Sequence, residues 1–348
     1  MTQSSENLGT MMTSWTTQAD NSTALSINDV EVDSEAEWSW SYKWAWSNIV
    51  QLSFAVLGIV GNLLVILALL KQKATKHSTD IFIGALAVSD FLTSIFIIPI
   101  PVASAVPNTV LGEAYCKMIF TRYFMWSCIH ASAYTLTGMS VERFIAVVFP
   151  LHWKLIATRR NVQIYLFIVA IGSVLSCAAF LRCNSVGNVC ACTHTLPLLL
   201  MLSCIAFLIR VGIPVTLMVL TQFLVIISLH RQSRKSVAAA RNVGNDSVPS
   251  FHKVARNRVV RLTFIIVMVY ILTVSPSQIT AVVLTLSGNV LSYYFSPLYY
   301  VLTFAVFINS CANPLIYAAQ YPKFRLAIRH LFRFRSSSQE ASLFSSQI

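Results

Sequence analysis

Glu142 and Arg143 sit side by side in "LTGMSVERFIAVVFPLHWK", residues 136–154, with long apolar runs on either side. An adjacent acid and base in such company can work as a latch, the carboxylate holding the guanidinium until something displaces it. The plainer reading is charge at a helix end, snorkelling to water. A second acid, Asp90, lies near the middle of another apolar run, in "ALAVSDFL". A charged Asp at the centre of a membrane helix costs about 2.5–3.5 kcal/mol on insertion scales, so it must face protein or trapped water. Asn62 in "GIVGNLLVI", and Asn309 and Asn313 in "FINSCANPLIY", are its expected company. Asn309 and Asn313 are four residues apart and share one helix face. For Asn62 the plainer reading, hydrogen-bond glue between helices, is the stronger.

The elements that must position these residues are membrane spans. Of the 348 residues, 56% are hydrophobic and 11% charged, against about 25% charged in a soluble domain. Crossing the hydrocarbon core takes about 20 apolar residues. Seven stretches qualify: roughly 47–70, 80–104, 116–148, 162–181, 197–229, 259–286 and 293–318. The fold expected is all-α, a seven-transmembrane helix bundle over 47–320. Alternate connections carry the Lys and Arg: Lys71, Lys73 and Lys76, then Lys154, Arg159 and Arg160, then the run from Arg231 to Arg261. The tail beyond span seven adds Lys323, Arg325, Arg329, Arg333 and Arg335. That asymmetry puts the N terminus outside and the C terminus inside. The net charge of +12 is thus a topology signal, and no nucleic-acid partner is read from it. The basic inner face also suits anionic membrane lipid. Residues 1–46 show no apolar signal core with a cleavage site, are rich in Ser, Thr, Asp and Glu, and read as a disordered extracellular tail. Asn21-Ser22-Thr23 is a glycosylation acceptor there.

On span three, Arg122, Met125, Ile129, Ser132, Leu136, Met139 and Arg143 recur at three- and four-residue steps and form one stripe. Arg122 falls near its outer end and Arg143 near its inner end. Pro99, Pro101, Pro214, Pro276 and Pro314 interrupt spans; each removes a backbone donor and kinks its helix.

These segments, in this order, resemble the rhodopsin-like (class A) G-protein-coupled receptors. The resemblance covers about residues 47 to 335 and rests on "GNLLVI", "LAVSDF", "SVERFIAVVFPLHWK" and "NSCANPLIY". "LGEAYCK" is similar to the outer-loop segment of the peptide-type members. The resemblance implies a sodium pocket lined by Asp90, Ser132, Asn309, Ser310 and Asn313, an oxygen-rich set that suits a hard cation. It implies a G-protein coupling switch made of Glu142, Arg143, Asn313, Pro314 and Tyr317. The basic, amphipathic "YPKFRLAIRHLFRF" fits the family's short helix on the inner leaflet, 321–335 here, ahead of a cytoplasmic tail, 336–348. A heterotrimeric G protein is the implied inner partner, with arrestin and receptor kinases at the Ser-rich tail.

The chain departs from the family at several points. Val274 stands where span six usually has a tryptophan, Gln222 where span five has a tyrosine, and Cys116 lies two residues further from Arg143 than usual. The inner end of span six, "KVARNRVVRL", has no acid to hold Arg143. The amine-receptor Asp of span three is here Met125, and span seven has no lysine for retinal. What remains for a ligand is Arg122 and Arg210, with Gln278. Two arginines with no acid in the outer half point to an anionic ligand. A peptide with an acidic group or free C-terminus comes first, a lipid or small carboxylate second. The rival is an arginine that snorkels outward or bonds backbone carbonyls.

Eight cysteines are present, three of them in "RCNSVGNVCACTH". The resemblance implies that Cys116 pairs with one of these. Cys192 matches the family's spacing to Pro214 best, with Cys190 the alternative; Cys183 and Cys190 would then close a small loop. A metal set of Cys190, Cys192 and His194 is the lesser reading in oxidising space. A transporter would show repeated pairs of broken helices, a channel a selectivity loop, and an enzyme a nucleophile–base constellation. None is legible, so the expectation is a plasma-membrane receptor and not an enzyme.

Overall fold

The computed structural model describes residues 37–41, 45–71, 78–178, 181, 183–192, 196–243, 251–287 and 296–332. Asn21 and the tail from 333 onward lie outside the described residues. So do the side chains of Arg256 and Cys192.

The architecture rests on α1 Trp46–Lys71, α2 Ser78–Ile97, α3 Tyr123–Val148, α4 Arg159–Ser176, α5 Ile213–Val243, α6 Phe251–Leu286, α7 Pro297–Gln320 and α8 Pro322–Phe332. Local chemistry marks several starts. Thr158 caps α4 by accepting from the Asn161 N–H, and Ser296 caps α7 by accepting from the Tyr299 N–H, with Pro297 in the first turn. Leu196–Phe207 leads through a π-helical turn, Leu208–Gly212, into α5.

Among the described residues, five helical stretches are long and apolar enough to cross a membrane: Trp46–Lys71, Ser78–Ile97, Met201–Arg234, Arg258–Leu284 and Pro297–Gln320. A sixth arises if Pro150–Ile156 and α4, bent by 68° at their break, count as one span. α3 has the length, 26 residues, and lacks the greasiness. Its polar Ser127, His130, Ser132, Thr135, Thr137, Ser140, Glu142 and Arg143 are all buried. They face other helices, so α3 needs little lipid-compatible surface. Outside the bundle the opposite holds. Leu57, Phe167, Leu272, Val301 and Leu315 are all more than 60% exposed, as apolar residues facing lipid would be.

The core joins Val65 of α1, Leu86 of α2, Leu136 and Met139 of α3, Met218 of α5, Leu262 and Ile266 of α6, and Tyr317 of α7. Lipid tails are as apolar as leucine, so burial alone cannot hold helices together in a membrane. Close packing and interhelical hydrogen bonds must do it.

Two small sheets decorate the end of the bundle opposite Arg143. Ser39–Ser41 (β1) pairs antiparallel with Val102–Ala105 (β2), and Cys183–Val186 (β3) with Val189–Cys192 (β4). β1 lies inside the segment expected to be disordered. Its alternating Trp38 and Trp40 stack on each other and meet the Tyr115 ring edge-on, at 5.3 and 5.8 Å. These stacked rings, Trp40 still 54% exposed, give an otherwise polar tail something to pack on.

Candidate functional site

At the centre, Asp90 of α2 is fully buried. Its Oδ1 accepts from the Ser132 hydroxyl at 3.0 Å and its Oδ2 from Asn313 Nδ2 at 2.6 Å. Asn62 joins from α1. Pro314 has no N–H to give the carbonyl four residues earlier, that of Ser310. Asn62 Nδ2 donates to that carbonyl instead at 2.9 Å, and to the Gly58 carbonyl at 3.0 Å. A side chain on Gly58 would sit 2.1 Å from the Ser94 hydroxyl, so only glycine allows α1 this close. The amide oxygens of Asn62, Asn309 and Asn313 are buried with no hydrogen-bond partner among the described residues. A buried carboxylate beside hydroxyls and free amide oxygens is a donor set that fits a hard cation such as sodium.

At the Arg143 end, the expected pair is present and has more partners than the sequence revealed. Arg143 donates through Nε and Nη2 to both oxygens of Glu142. Its Nη2 also donates to the Thr79 hydroxyl at 2.6 Å. Glu142 Oε1 accepts from the Ser78 hydroxyl at 2.6 Å and from the Trp153 indole N–H at 2.8 Å. Both charged residues are buried, at 6% and 8% exposure, which sets aside simple snorkelling to water. Next along α2, Asp80 accepts from the Tyr321 hydroxyl at 2.6 Å. Burial first, and then the Asp80 carboxylate, raise the Tyr321 phenol well above its ordinary range, so it stays a donor. Ser78, Thr79, Asp80, Trp153 and Tyr321 escaped the sequence reading. The one signal was three polar residues in a row opening an apolar span.

Val274 packs in the core, and among the described residues the buried Gln222 Nε2 and the buried Tyr317 hydroxyl have no hydrogen-bond partner.

At the opposite end, Cys116 is bonded to Cys190, with Cα atoms 5.4 Å apart. This corrects the expectation of Cys192, and with it the Cys183–Cys190 loop. The hairpin register explains it. Gly187 and Asn188, both at positive φ, make the β3–β4 turn, which sets Cys192 opposite Cys183 and Ser185 opposite Cys190. Cys183 is itself disulfide-bonded. Cys190 is then the one that meets Val106, Tyr115 and Cys116. The two-residue displacement of Cys116 also has a structural source. It lies in a π-helical turn, Tyr115–Phe120, and α3 begins only after a break at Thr121–Arg122. A π turn absorbs extra residues without disturbing the helix beyond it.

From Met125 to Arg143 the expected stripe is buried, Met125, Ile129, Ser132, Leu136 and Met139 included. Arg122 is off the stripe, in the left-handed conformation at φ 53° and part-buried. Its guanidinium has no hydrogen bond or ion pair among the described residues, and it lines a cavity with Met125, Phe96, Ile100, Met118 and Phe120. Arg210 is differently engaged. Its Nε donates at 3.0 Å to the carbonyl of Ser176, the last residue of α4, and its Nη2 donates to the same oxygen. A cation there satisfies a helix C-terminus. Gln278 is half-buried on α6, two residues past Pro276.

A family model described as "7 transmembrane receptor (rhodopsin family)" matches residues 61–317. Among similar proteins, the allatostatin-A receptor of Bombyx mori is 26% identical over 290 residues, covering 79% of this chain and 76% of that protein. The trace amine-associated receptor 9 of Mus musculus is 29% identical over 311 residues, 84% and 87% of the two chains. The neuromedin-U receptor 2 of Mus musculus is 27% identical over 295 residues, 79% and 72%. These relatives are receptors, not enzymes.

Proposed function

The chain belongs to the rhodopsin family of seven-transmembrane receptors, and from that premise we propose that it binds an extracellular peptide bearing an anionic group and activates a heterotrimeric G protein. As a member of the family it is a multi-pass protein of the plasma membrane. The N terminus lies outside and α8 lies on the inner leaflet, because Lys and Arg crowd the connections at the Arg143 end. The Ser-rich tail takes receptor kinases and arrestin. Two of the relatives are named for allatostatin-A and neuromedin-U; a third is named for trace amines. A trace amine would need an acid in the outer half of α3. Glu142, the one acid of that helix, is tied up at its other end.

The observation that carries the coupling is the closed arrangement of Glu142, Arg143, Thr79, Ser78 and Trp153. All of these partners come from α2, α3 and the helix Pro150–Ile156. The start of α6 contributes Arg256, Arg258 and Arg261 to the sequence and no acid. Like charges repel Arg143, so α6 is held less firmly than where an acid reaches across. An outer ligand and an inner G protein each favour the open arrangement, and each raises the other's affinity. The direct test is ligand binding with and without a guanine nucleotide, after screening peptides and small anions on cells with several G-protein reporters. Binding indifferent to the nucleotide at every reporter would defeat the coupling.

The weak hold on α6 leads to measurable ligand-free signalling. Glu142→Gln narrows the gap between resting and active states. A gap smaller by about 1.4 kcal/mol raises a minor active population roughly tenfold. Arg256→Glu supplies the absent acid and lowers the basal signal. Basal G-protein activation at matched surface expression is the measurement. A silent wild type, or a rise with Arg256→Glu, means something else holds the bundle shut.

Asp90 is proposed to hold sodium as an allosteric modulator, with Ser132, Asn309, Ser310 and Asn313. Asp90→Asn keeps the shape and loses the charge, so it abolishes the effect of sodium on agonist affinity while surface expression stays near wild type. An intact sodium response in the variant would rule the site out.

A further inference from the structure

Three consecutive residues at the start of α2 each reach into the Arg143 end. The Ser78 hydroxyl donates to Glu142, the Thr79 hydroxyl accepts from Arg143, and the Asp80 carboxylate accepts from Tyr321. Asp80 is 3% exposed, and its Oδ2 is buried with no hydrogen-bond partner among the described residues. A buried carboxylate with a free oxygen is costly unless a positive charge stands near it. Arg143 is the buried cation of this end, and it touches the residue next to Asp80. Tyr321 is the link between α7 and α8, with its N–H on the Tyr317 carbonyl at 2.9 Å.

We propose that Asp80 is a second acid restraining Arg143, supplied by α2, and that Tyr321 positions it. This rests on the receptor reading and names how its switch is held. Glu142 grips the guanidinium directly. Asp80 adds a negative charge on the α2 side and draws Arg143 away from α6. Tyr321 orients the carboxylate and ties it to the α7–α8 junction. Any movement of that junction that withdraws the hydroxyl therefore weakens the hold on Arg143 without touching Glu142. The acid that α6 lacks has a substitute on the opposite wall.

The test measures basal G-protein activation and agonist affinity in full-length Asp80→Asn, Tyr321→Phe and the double variant, at matched surface expression. Asp80→Asn raises basal activation about three- to tenfold, and agonist affinity rises with it, because both report the active fraction. Tyr321→Phe gives a smaller rise. The double variant gives no more than Asp80→Asn alone, since the tyrosine acts through the acid. Asp80→Glu retains a low basal signal. A packing role alone would lower surface expression and leave basal signal per receptor unchanged. Wild-type basal activity in Asp80→Asn, or equal rises in Asp80→Glu and Asp80→Asn, overturns the proposal. If Asp80→Asn fails to reach the surface, Tyr321→Phe decides: no rise there overturns it as well. A wild type that answers its ligand while these variants behave like it leaves the receptor reading standing. A chain that activates no G protein sinks both.

Discussion

Cys116→Ala and Cys190→Ala each remove most ligand binding from the cell surface, and the double variant is no worse than either. Both substitutions delete one bond, so their effects cannot add. The bond ties the π turn before α3 to the β3–β4 hairpin across a sequence separation of 74 residues. Chain-entropy arguments give about 4.5 kcal/mol for a loop of that size. A membrane protein keeps its inserted helices when it unfolds, so the free chain is less disordered than that argument assumes. The expected loss is about 2–4.5 kcal/mol, still a large share of a stability of about 5–15 kcal/mol. The geometry also decides which loop cysteine matters. Cys183 stands opposite Cys192 in the hairpin, and Ser185 opposite Cys190. If Cys192 were the partner of Cys116 in cells, Cys190→Ala would bind normally and Cys192→Ala would match Cys116→Ala. Surface binding and antibody-detected expression, measured side by side for the four variants, distinguish these outcomes. Additive losses in the double variant would mean that the two sulfurs act separately.

That correction shows where sequence reasoning reaches and where it stops. Five spans, and a sixth with the bend before α4, were legible because twenty apolar residues in a row have few other uses, and Asp90, Asn309 and Asn313 were legible because polar groups in such runs are expensive. The structure brings Ser132 and Asn313 onto Asp90, and it adds Asn62 through the carbonyl that Pro314 leaves free. The burial of α3 followed from its three- and four-residue steps. The cysteine pairing did not, because residue counting assumes regular helix on both sides. Here a π turn precedes α3 and another precedes α5, and each breaks the count. Hairpin register, which set the outcome, depends on a turn at positive φ that the Gly-Asn dipeptide only hints at. The partners of Glu142 and Arg143 were missed for another reason. Ser78, Thr79 and Trp153 are ordinary at a span end, and nothing in a one-dimensional reading says that the start of α2 meets the end of α3. Arg210 was read together with Arg122 because both are arginines in apolar runs. Only the structure separates them, one bonded to the end of α4 and the other with no hydrogen bond or ion pair among the described residues.

That separation sets the last expectation. If the ligand is anionic as proposed, Arg122 is expected to meet its charge. A non-glycine residue at φ 53° is rare, and such strain persists only when the surroundings enforce it. Here it throws the side chain off the α3 stripe into a cavity walled by Phe96, Ile100, Met118, Phe120 and Met125. The hydroxyl of Tyr115, which also lines the cavity, already accepts from the Ala103 N–H at 2.9 Å. Glu113 is paired with Lys117 at 2.8 Å. A guanidinium with no carboxylate on it among the described residues gains most from a ligand that brings one. Arg122→Gln therefore weakens a carboxylate-bearing ligand by about 2–5 kcal/mol, much of it the penalty of leaving the ligand's charge unpaired. Replacing that carboxylate with an amide weakens binding to the wild type by a similar factor and changes little in Arg122→Gln. The non-additivity identifies the pair. Arg210→Ala behaves otherwise. Its guanidinium is committed to the Ser176 carbonyl, so its loss lowers the amount of folded receptor and shifts both ligand forms equally. Competition binding of the two ligand forms to the three receptors supplies the whole cycle. Equal affinity of Arg122→Gln and wild type for the carboxylate form, or a natural ligand that proves cationic, would end the anionic assignment and leave Arg122 as a charge whose strained backbone serves another purpose.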